Sequence, residues 1–421
     1  MKQLQEMLTA HPQVSDYKIN THKKESYELF FVKGALETVR CTDTTDREVT
    51  VYVDHGDCKG DAQFFVYAST TPQQIQSRIE EAVCKAMLIR NQAYSLPEAQ
   101  TGDYTVDSNF ADYPPEELAA QIALAVFAAN KIHGGSLNSV EVFINKHTQT
   151  VCNSRGLHKT QVFYDAMVEA IPTYNGETQS VELYEQYNFS SFDANAVAAQ
   201  IGEKMDQVKA RYEAVTPEQP LEASVILNIQ EVAKLFASVA RNLNYATVYS
   251  HSNLFSKGDA IQKAPQGDKL GITMTGQVTG SIRSSCFDTD GLTLGSVRLV
   301  EQGSAVNYYG SNRYGQYLGE TPTGDMPCLV ADTGSGFVPE GKWLEVVSMS
   351  GLQVDFFNDY IGGEVRLAYY HDGEKTVPVT GISISGKASQ VLESLWLSKE
   401  TGVYDGYCGP CKACTNAMKV F

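Results

Sequence analysis

The sequence has no uninterrupted apolar segment of about 18 or more residues, the length that a helix needs to cross a bilayer. Its first residues, 1–6, show neither the basic-then-apolar order nor the small-residue cleavage site of a signal peptide. The sequence therefore predicts a soluble, cytoplasmic protein that has no membrane partner.

Dense runs of basic residues are also absent. The nearest approach to one is the pair Lys23-Lys24, and the formal net charge of the chain is −17. A surface of this sign repels the phosphate backbone of nucleic acids. Direct binding of DNA or RNA is therefore not expected.

The cysteines do not form the pattern of a disulfide framework. There are nine, an odd number, and three of them lie close together near the C-terminus. Isolated cysteines in patterned segments are typical of small buried apolar residues in a reducing compartment. Six cysteines are of this kind: Cys41, Cys58, Cys84, Cys152, Cys286 and Cys328.

A length of 421 residues predicts two or three domains at roughly 100–200 residues each. Near the N-terminus, apolar and polar residues alternate in short runs at 27–32, 49–53 and 63–67, which predicts strands. Turn-forming residues separate these runs, Lys33-Gly34 and Gly60-Asp61 among them. The segment is therefore predicted to be an antiparallel meander.

Helices are predicted to interleave with these and further strands. Thr71-Pro72 offers a capping hydroxyl and a proline for a first helical turn, and Pro114-Pro115 begins a second helix. A third, amphipathic helix is predicted over residues 193–214. The proline-containing stretch 216–220 is interpreted as a linker, so residues 1–220 are predicted to form an α+β domain.

After the linker the composition changes, because 24 of the 33 glycines fall between Gly258 and Gly409. The glycines separate short apolar or alternating runs, as in proteins rich in strands. One amphipathic helix, over residues 229–242, precedes them. Residues 221–421 are therefore predicted to form a β-rich domain, and the fold class of the whole chain is α+β.

Five short motifs are spread over residues 140–410. In chain order they are Asn153-Ser154-Arg155-Gly156, residues 250–261, Phe287-Asp288-Thr289-Asp290-Gly291, Gly303 with the later Thr323-Gly324, and Cys408-Gly409. Together, and in this order, they resemble the landmarks of the TldD/PmbA metallopeptidase family. Asp290 departs from the family pattern, which has glutamate at that place.

The resemblance identifies the helix predicted over residues 229–242 with the central helix of the family, whose residues decide whether a member can bind zinc. Active members of the family carry His-Glu-x-x-x-His there, so that two imidazoles hold zinc and the glutamate acts as general base. Here residues 235–243 read Leu-Phe-Ala-Ser-Val-Ala-Arg-Asn-Leu, and no His-Glu pair occurs in the chain. The resemblance therefore implies a PmbA-like member with no catalytic residues of its own and no cofactor, the zinc being expected in a TldD-like partner.

By the same resemblance, the protein is expected to be a subunit of a zinc-dependent peptidase complex that acts on unfolded peptides. It would form part of the substrate chamber beside a TldD-like subunit. A second copy of the chain could take the place of that subunit, which would make the protein a homodimeric peptide-binding module. The sequence leaves both possibilities open.

Three cysteines near the end of the chain, Cys408, Cys411 and Cys414, allow three interpretations. Cys-Gly-Pro-Cys is the thioredoxin motif, but only seven residues follow Cys414, too few for a thioredoxin domain. The thiolates could instead bind metal together with His251, which would rebuild a metallopeptidase site. In the third interpretation, Cys408 belongs to the family's Cys-Gly doublet and the other two are incidental on an exposed tail.

Asp288 and Asp290 also allow two interpretations. Two residues apart in a strand, their carboxylates would share one face and could act in acid-base chemistry. Because Gly291 follows directly, the sequence favours a turn at this position.

Overall fold

The structure, a computed structural model, describes residues 2–421. The N-terminal half contains nine strands and four α-helices, together with a short 3-10 helix at Asn109–Asp112. The strands are β1 (Asp16–Val32), β2 (Ala35–His55), β3 (Cys58–Tyr67), β4 (Asn91–Gln92), β5 (Thr101–Thr105), β6 (Gly135–Asn153), β7 (His158–Asn175), β8 (Ser180–Glu182) and β9 (Glu185–Phe189). The helices are α1 (Lys2–Ala10), α2 (Pro72–Ala86), α3 (Pro115–Ala128) and α4 (Ala194–Glu213).

These strands form one sheet in the order β4-β3-β2-β1-β6-β7-β5, with β8 and β9 also paired to β7. All neighbours are antiparallel except β5 and β7. Apolar side chains of one sheet face pack against α1 and α2 at one end and against α3 and α4 at the other. Side chains alternate between the faces of a strand, and α1 to α4 all pack on the same face.

The strands are longer than the alternating runs that predicted them. The runs at residues 139–144 and 149–152, which the sequence predicts as separate strands, both belong to β6. The prediction of a turn at Gly60-Asp61 is wrong, because both residues lie inside β3. A β-carbon on Gly60 would lie 1.9 Å from the carbonyl oxygen of Ala86. The glycine is therefore needed for the close approach of α2 to the strand.

The C-terminal half contains fifteen strands and four helices. The strands are β10 (Ser224–Asn228), β11 (Ile272–Thr275), β12 (Ser296–Glu301), β13 (Ser304–Ala305), β14 (Cys328–Ala331), β15 (Trp343–Met349), β16 (Gln353–Asp355), β17 (Tyr360–His371), β18 (Thr376–Val379), β19 (Ile382–Gly386), β20 (Trp396–Leu397), β21 (Thr401–Tyr404), β22 (Tyr407–Pro410), β23 (Lys412–Thr415) and β24 (Met418–Val420). The helices are α5 (Ile229–Asn242), α6 (Tyr245–Tyr249), α7 (Asn312–Leu318) and α8 (Ala388–Glu393).

These strands form two sheets. A nine-stranded sheet has the order β20-β23-β10-β15-β17-β19-β24, with β16 and β18 also on β17, and a six-stranded sheet has the order β13-β12-β11-β14-β22-β21. The central helix α5 contributes six buried residues to the large apolar core of this half, Phe236 among them. The helix thereby holds both sheets in one core.

The predicted fold class is confirmed: the chain is α+β with mainly antiparallel sheets. The helix signals read from the sequence correspond to α2, α3, α4 and α5. Thr71 caps α2 through a capping box with Gln74, as its hydroxyl and the following proline indicated. No helix within residues 2–421 is long and apolar enough to span a bilayer.

Candidate functional site

The first family-like motif, Asn153–Gly156, forms the turn between β6 and β7. The side-chain oxygen of Asn153 accepts hydrogen bonds from the backbone N–H of Arg155 (2.9 Å) and Leu157 (3.1 Å). The hydroxyl of Ser154 donates to Asp16 on β1 (2.6 Å). Gly156 has a φ of +87°, a conformation that favours glycine. The motif residues therefore shape the turn and tie it to β1.

The motif Phe287–Gly291 forms a second turn, as predicted for Asp288 and Asp290. The carboxylate of Asp288 accepts backbone N–H groups from Asp290 and Leu292, each at 2.9 Å. Gly291 has a φ of +83°, and a β-carbon there would lie 2.6 Å from the side chain of Leu157. The glycine allows this turn to press against the first one.

Three side chains of the N-terminal sheet bind the second turn across the contact between the two halves. Lys159 on β7 is fully buried, and its Nζ donates to the carbonyl oxygen of Gly291 (2.8 Å) and the hydroxyl of Thr293 (2.7 Å). Lys18 on β1 forms an ion pair with Asp290. The side chain of Gln161 accepts the backbone N–H of Cys286 at 2.8 Å.

The fourth motif divides between two places. Gly324 lies beside the second turn, where the carboxylate of Asp288 accepts the backbone N–H of Asp325 at 3.1 Å. Thr323 accepts the backbone N–H of Gly310. Gly303 lies apart, in the turn between β12 and β13, where its backbone bonds to Ile261 and Leu270. Three motifs thus converge on one contact, and Gly303 stabilises another part of the C-terminal half.

The buried carboxyl of Asp288 has an altered proton affinity. Burial and the neighbouring Asp290 raise its pKa to about 6, although three backbone N–H groups favour the ionised form. All three N–H groups belong to the turn or to the segment beside it. The arrangement suits a structural acceptor that holds two loops together, and it gives Asp288 no access to a substrate.

A cavity of about 460 Å³ lies over one face of the central helix α5. The helix contributes Glu231, Lys234 and Ala237 to its wall, at the spacing that places residues on one helical face. The opposite wall comes from Met349, Arg283 and the turn at residues 404–407, between β21 and β22. The cavity therefore lies between the central helix and the ends of neighbouring strands and loops.

No histidine or cysteine lines this cavity. Ala237, which faces it, can bind no metal, and Ser238 beside it donates its hydroxyl to the carbonyl oxygen of Lys234 within the helix. Within residues 2–421, no three His, Cys, Asp or Glu side chains are grouped so that they could hold a metal ion. The residues present at α5 therefore do not fit the zinc site of active family members.

The segment interpreted as an exposed tail is part of both C-terminal sheets, so that interpretation is wrong. Cys408 lies on β22, which pairs with β14 and β21, and Cys414 lies on β23, which pairs with β10 and β20. Cys414 is 9% exposed. Each of these strands is only four residues long and is held between two neighbouring strands from distant parts of the chain, a backbone pairing that leaves no sign in a short glycine- and cysteine-containing sequence.

The environment of these thiols opposes the thioredoxin interpretation. Burial raises the pKa of Cys408 and of Cys411, and it raises the pKa of Cys414 to about 11. A reactive thiol requires the opposite shift. His251, the proposed fourth ligand, is exposed in the turn after α6 with a φ of +52°, and it joins no metal-binding group with the cysteines.

One residue of the cavity was not singled out from the sequence. Glu231 is only 5% exposed, and its Oε2 atom has no hydrogen-bond partner among the described residues. Burial raises its pKa to about 7. A signal was present in the sequence: Glu231 lies four residues before Leu235, on the apolar face of a helix, where a carboxylate is unusual.

Comparison with known proteins agrees with the motifs. Residues 220–418 match the model of the PmbA/TldA metallopeptidase C-terminal domain. A metalloprotease PmbA homolog from Haemophilus influenzae is 24% identical over 393 residues, which cover 86% of this chain and 82% of that protein.

Solved structures show the same fold over the whole length. The crystal structure of TldE from Thermococcus kodakarensis covers 99% of each chain with a TM-score of 0.80 and 16% identity. A structure from Bacteroides thetaiotaomicron covers 100% of this chain and 98% of its own, with a TM-score of 0.79 and 12% identity. The resemblance inferred from the five motifs is thereby confirmed: residues 220–418 match the PmbA/TldA metallopeptidase C-terminal domain, and the whole chain is similar in sequence to a PmbA homolog and in fold to TldE.

Proposed function

We propose that this protein is a PmbA/TldE-like subunit of a zinc-dependent peptidase complex that acts on unfolded peptides. In this complex it forms part of the substrate chamber and does not itself cut the peptide. The zinc and the general base are supplied by a TldD-like subunit. The chain works in a reducing, cytoplasmic compartment, in keeping with its free cysteines.

The cavity over α5 carries this proposal. It lies on the helix where the family's zinc chemistry belongs, yet its wall offers no imidazole and no thiol. Hydrolysis of a peptide at neutral pH requires an activated water or nucleophile, and a zinc-bound water is the family's means of providing one. A cavity without those ligands can hold a peptide segment but cannot activate water in that way.

The face of the N-terminal sheet that lies opposite α1 to α4 supports a role in the chamber wall. It carries a hydrogen-bonded row in which His22 contacts His147 (2.9 Å) and His147 contacts Asp165 (2.6 Å). Phe30 and Phe143 pack edge to face on the same side. A broad face that mixes aromatic and hydrogen-bonding side chains suits extended peptides of varied sequence.

The rebuilt metal site, which would make the isolated chain a peptidase, has less support. It requires Cys408, Cys411 and Cys414 to act with His251, and these residues do not form a metal-binding group. Two of the cysteines belong to hydrogen-bonded strands, so assembling the site would require the sheets to rearrange.

The test is co-expression of this chain, carrying an affinity tag, with a TldD-like chain from the same genome that bears His-Glu-x-x-x-His. We expect the two to co-purify and the complex to contain zinc and digest an unfolded protein such as labelled casein. Each chain alone should be inactive. A complex in which the partner's motif glutamate is replaced by glutamine is the matched control and should assemble without activity.

Two results would contradict the proposal. Digestion of casein by this chain alone, together with about one zinc per chain, would establish a site of its own. A chain that never associates with the TldD-like protein and sediments as a homodimer would favour the peptide-binding module.

A further inference from the structure

Glu231 stands out among the acidic residues because one of its two carboxylate oxygens is buried without a hydrogen-bond partner. It lies in the first turn of α5, it is 95% buried, and it lines the cavity described above. Its Oε2 atom has no hydrogen-bond partner among residues 2–421. Buried carboxylates in proteins are normally paired or hydrogen-bonded, because removing a charge from water is costly. The side chain lines the cavity, and Oε2 lies buried in the cavity wall without a partner, so a donor that enters the cavity can satisfy this acceptor once the carboxylate turns toward it.

The charged neighbours of Glu231 do not supply this group. Lys204 on α4 is near enough to influence it but forms an ion pair with Glu185 at 3.3 Å. Lys234, one turn further along α5, also influences it but extends to the exposed surface and forms no ion pair within the described residues. The other ionisable groups of the cavity wall are Asp405, Arg283 and the tyrosines at 309, 404 and 407. None of them donates a hydrogen bond to Oε2.

We infer that the cavity over α5 binds a primary ammonium group of a peptide and that Glu231 is the residue that receives it. An ionised carboxylate accepts hydrogen bonds and carries a negative charge. An ammonium group both donates hydrogen bonds and carries the opposite charge, whereas a backbone amide only donates a hydrogen bond. The side chains of Met274, Met349 and Tyr404 give the cavity an apolar and aromatic wall. Such a wall suits the aliphatic stem beside an ammonium group, and a tyrosine ring attracts the cation itself.

This inference rests on the proposed function, because it names the part of a peptide that the non-catalytic subunit recognises. The ammonium group can come from the N-terminus or from a lysine side chain. An N-terminal amine would place the start of the peptide at α5. A lysine would make the cavity a side-chain pocket along an extended segment.

The experiment measures binding of three six-residue peptides to the purified full chain by calorimetry at pH 7.5. The first has a free N-terminus and no lysine, the second is N-acetylated with one central lysine, and the third is N-acetylated without lysine. We expect one or both amine-bearing peptides to bind at least about tenfold more tightly than the third, because only they can form a charge-assisted hydrogen bond with the carboxylate. Whichever binds more tightly identifies the source of the ammonium group.

Glu231→Gln keeps the shape of the side chain but removes its charge, and we expect it to abolish the preference for an amine. Glu37→Gln makes the same chemical change at an exposed position of β2 and should leave the preference intact. Thermal unfolding of both variants verifies that they are folded.

The inference is overturned if the three peptides bind equally, if none binds, or if Glu231→Gln retains the preference. These results would leave the proposed function to be decided by the casein assay on the complex. Loss of activity in that assay would, conversely, refute the proposed function even if the isolated chain still preferred amines.

Discussion

At the scale of single residues, Asp288 and Glu231 show how differently two buried carboxyls can be used. Both have a raised pKa because of burial. The carboxylate of Asp288 accepts three backbone N–H groups and joins two loops. Glu231 keeps one oxygen without a partner, beside a cavity. The hydrogen bonds that each carboxyl makes, more than its shift in pKa, distinguish the structural role of Asp288 from the proposed binding role of Glu231.

Glu231 should make the stability of the chain depend on pH. Its pKa is 4.5 as a free side chain and about 7 in the folded protein, so the folded state binds more protons between these values and stability falls as the pH rises through them. At roughly 1.4 kcal/mol per pKa unit, the loss is roughly 3 kcal/mol. The loss is absent below pH 4.5 and complete above pH 7.

Glu231→Gln removes this titration. We expect the variant to unfold like the natural chain at pH 4.5 and to be more stable by up to roughly 3 kcal/mol at pH 8, as measured by urea denaturation. Glu37→Gln serves as the control and should follow the natural chain at every pH. Parallel stability profiles for the natural chain and Glu231→Gln would show that Glu231 finds a partner in the folded protein.

At the scale of secondary-structure elements, the strands differ from their sequence signals for a physical reason. The apolar face of β6 packs on α3 and α4 near Val142 and on a second apolar cluster near Cys152. Between these places the strand carries the polar residues Asn145, Lys146 and His147, and the alternation is lost although the backbone pairing continues. The alternation of apolar and polar residues indicates only which part of a strand is covered by helices. Where the strand ends depends on its backbone pairing with neighbouring strands.

Gly60 was interpreted as a turn residue, but it is required by a contact between elements. Gly60→Ala would push a β-carbon into the carbonyl group of Ala86 at the end of α2. We expect a loss of about 1–3 kcal/mol in the free energy of unfolding, measured with urea, because the helix must move away from β3.

Gly202→Ala provides the matched control for this substitution. Gly202 lies within α4, where a β-carbon meets nothing within 4 Å. Alanine favours a helix over glycine by about 1 kcal/mol, so this variant should be as stable as the natural chain or more so. Equal effects of the two substitutions would mean that α2 does not approach Gly60 as closely as the structure indicates.

At the scale of the whole molecule, the contact between the two halves is polar at its centre. Lys159, Lys18 and Gln161 reach from the N-terminal sheet to the turn at residues 285–293, and a small apolar cluster that includes Phe287 packs beside them. Interfaces between domains that are mostly polar often permit relative motion. Here the buried lysine limits such motion, because separating the halves would break its two hydrogen bonds.

Lys159→Met tests this role. The side chains have similar length, but methionine cannot donate to Gly291 or Thr293, and the buried carbonyl oxygen of Gly291 would lose its hydrogen bond from Lys159. We expect the free energy of unfolding to fall by about 1–3 kcal/mol and backbone hydrogen exchange in residues 285–294 to become faster. Lys146→Met, a change at an exposed position of β6, should alter neither quantity. Unchanged exchange in Lys159→Met would show that the apolar cluster alone holds the contact.

The sequence by itself determined the local elements and the chemistry that α5 lacks. A helix cap such as Thr71 and the apolar stripe of α5 involve residues only about four positions apart. Such local signals can therefore be recognised in the sequence. The five motifs were sufficient to indicate the family whose C-terminal domain residues 220–418 match, because motif order survives where overall identity is low.

Only the tertiary structure decided what the motifs do and that the carboxyl group of Glu231 lies beside a cavity. Lys159 and Gly291 are 132 positions apart, and no local pattern reports that their side chain and carbonyl meet. The pairing of the C-terminal cysteine strands and the burial of Glu231 depend in the same way on segments distant in sequence. Burial and hydrogen bonding are properties of the packed molecule, and they exist only once these segments have come together.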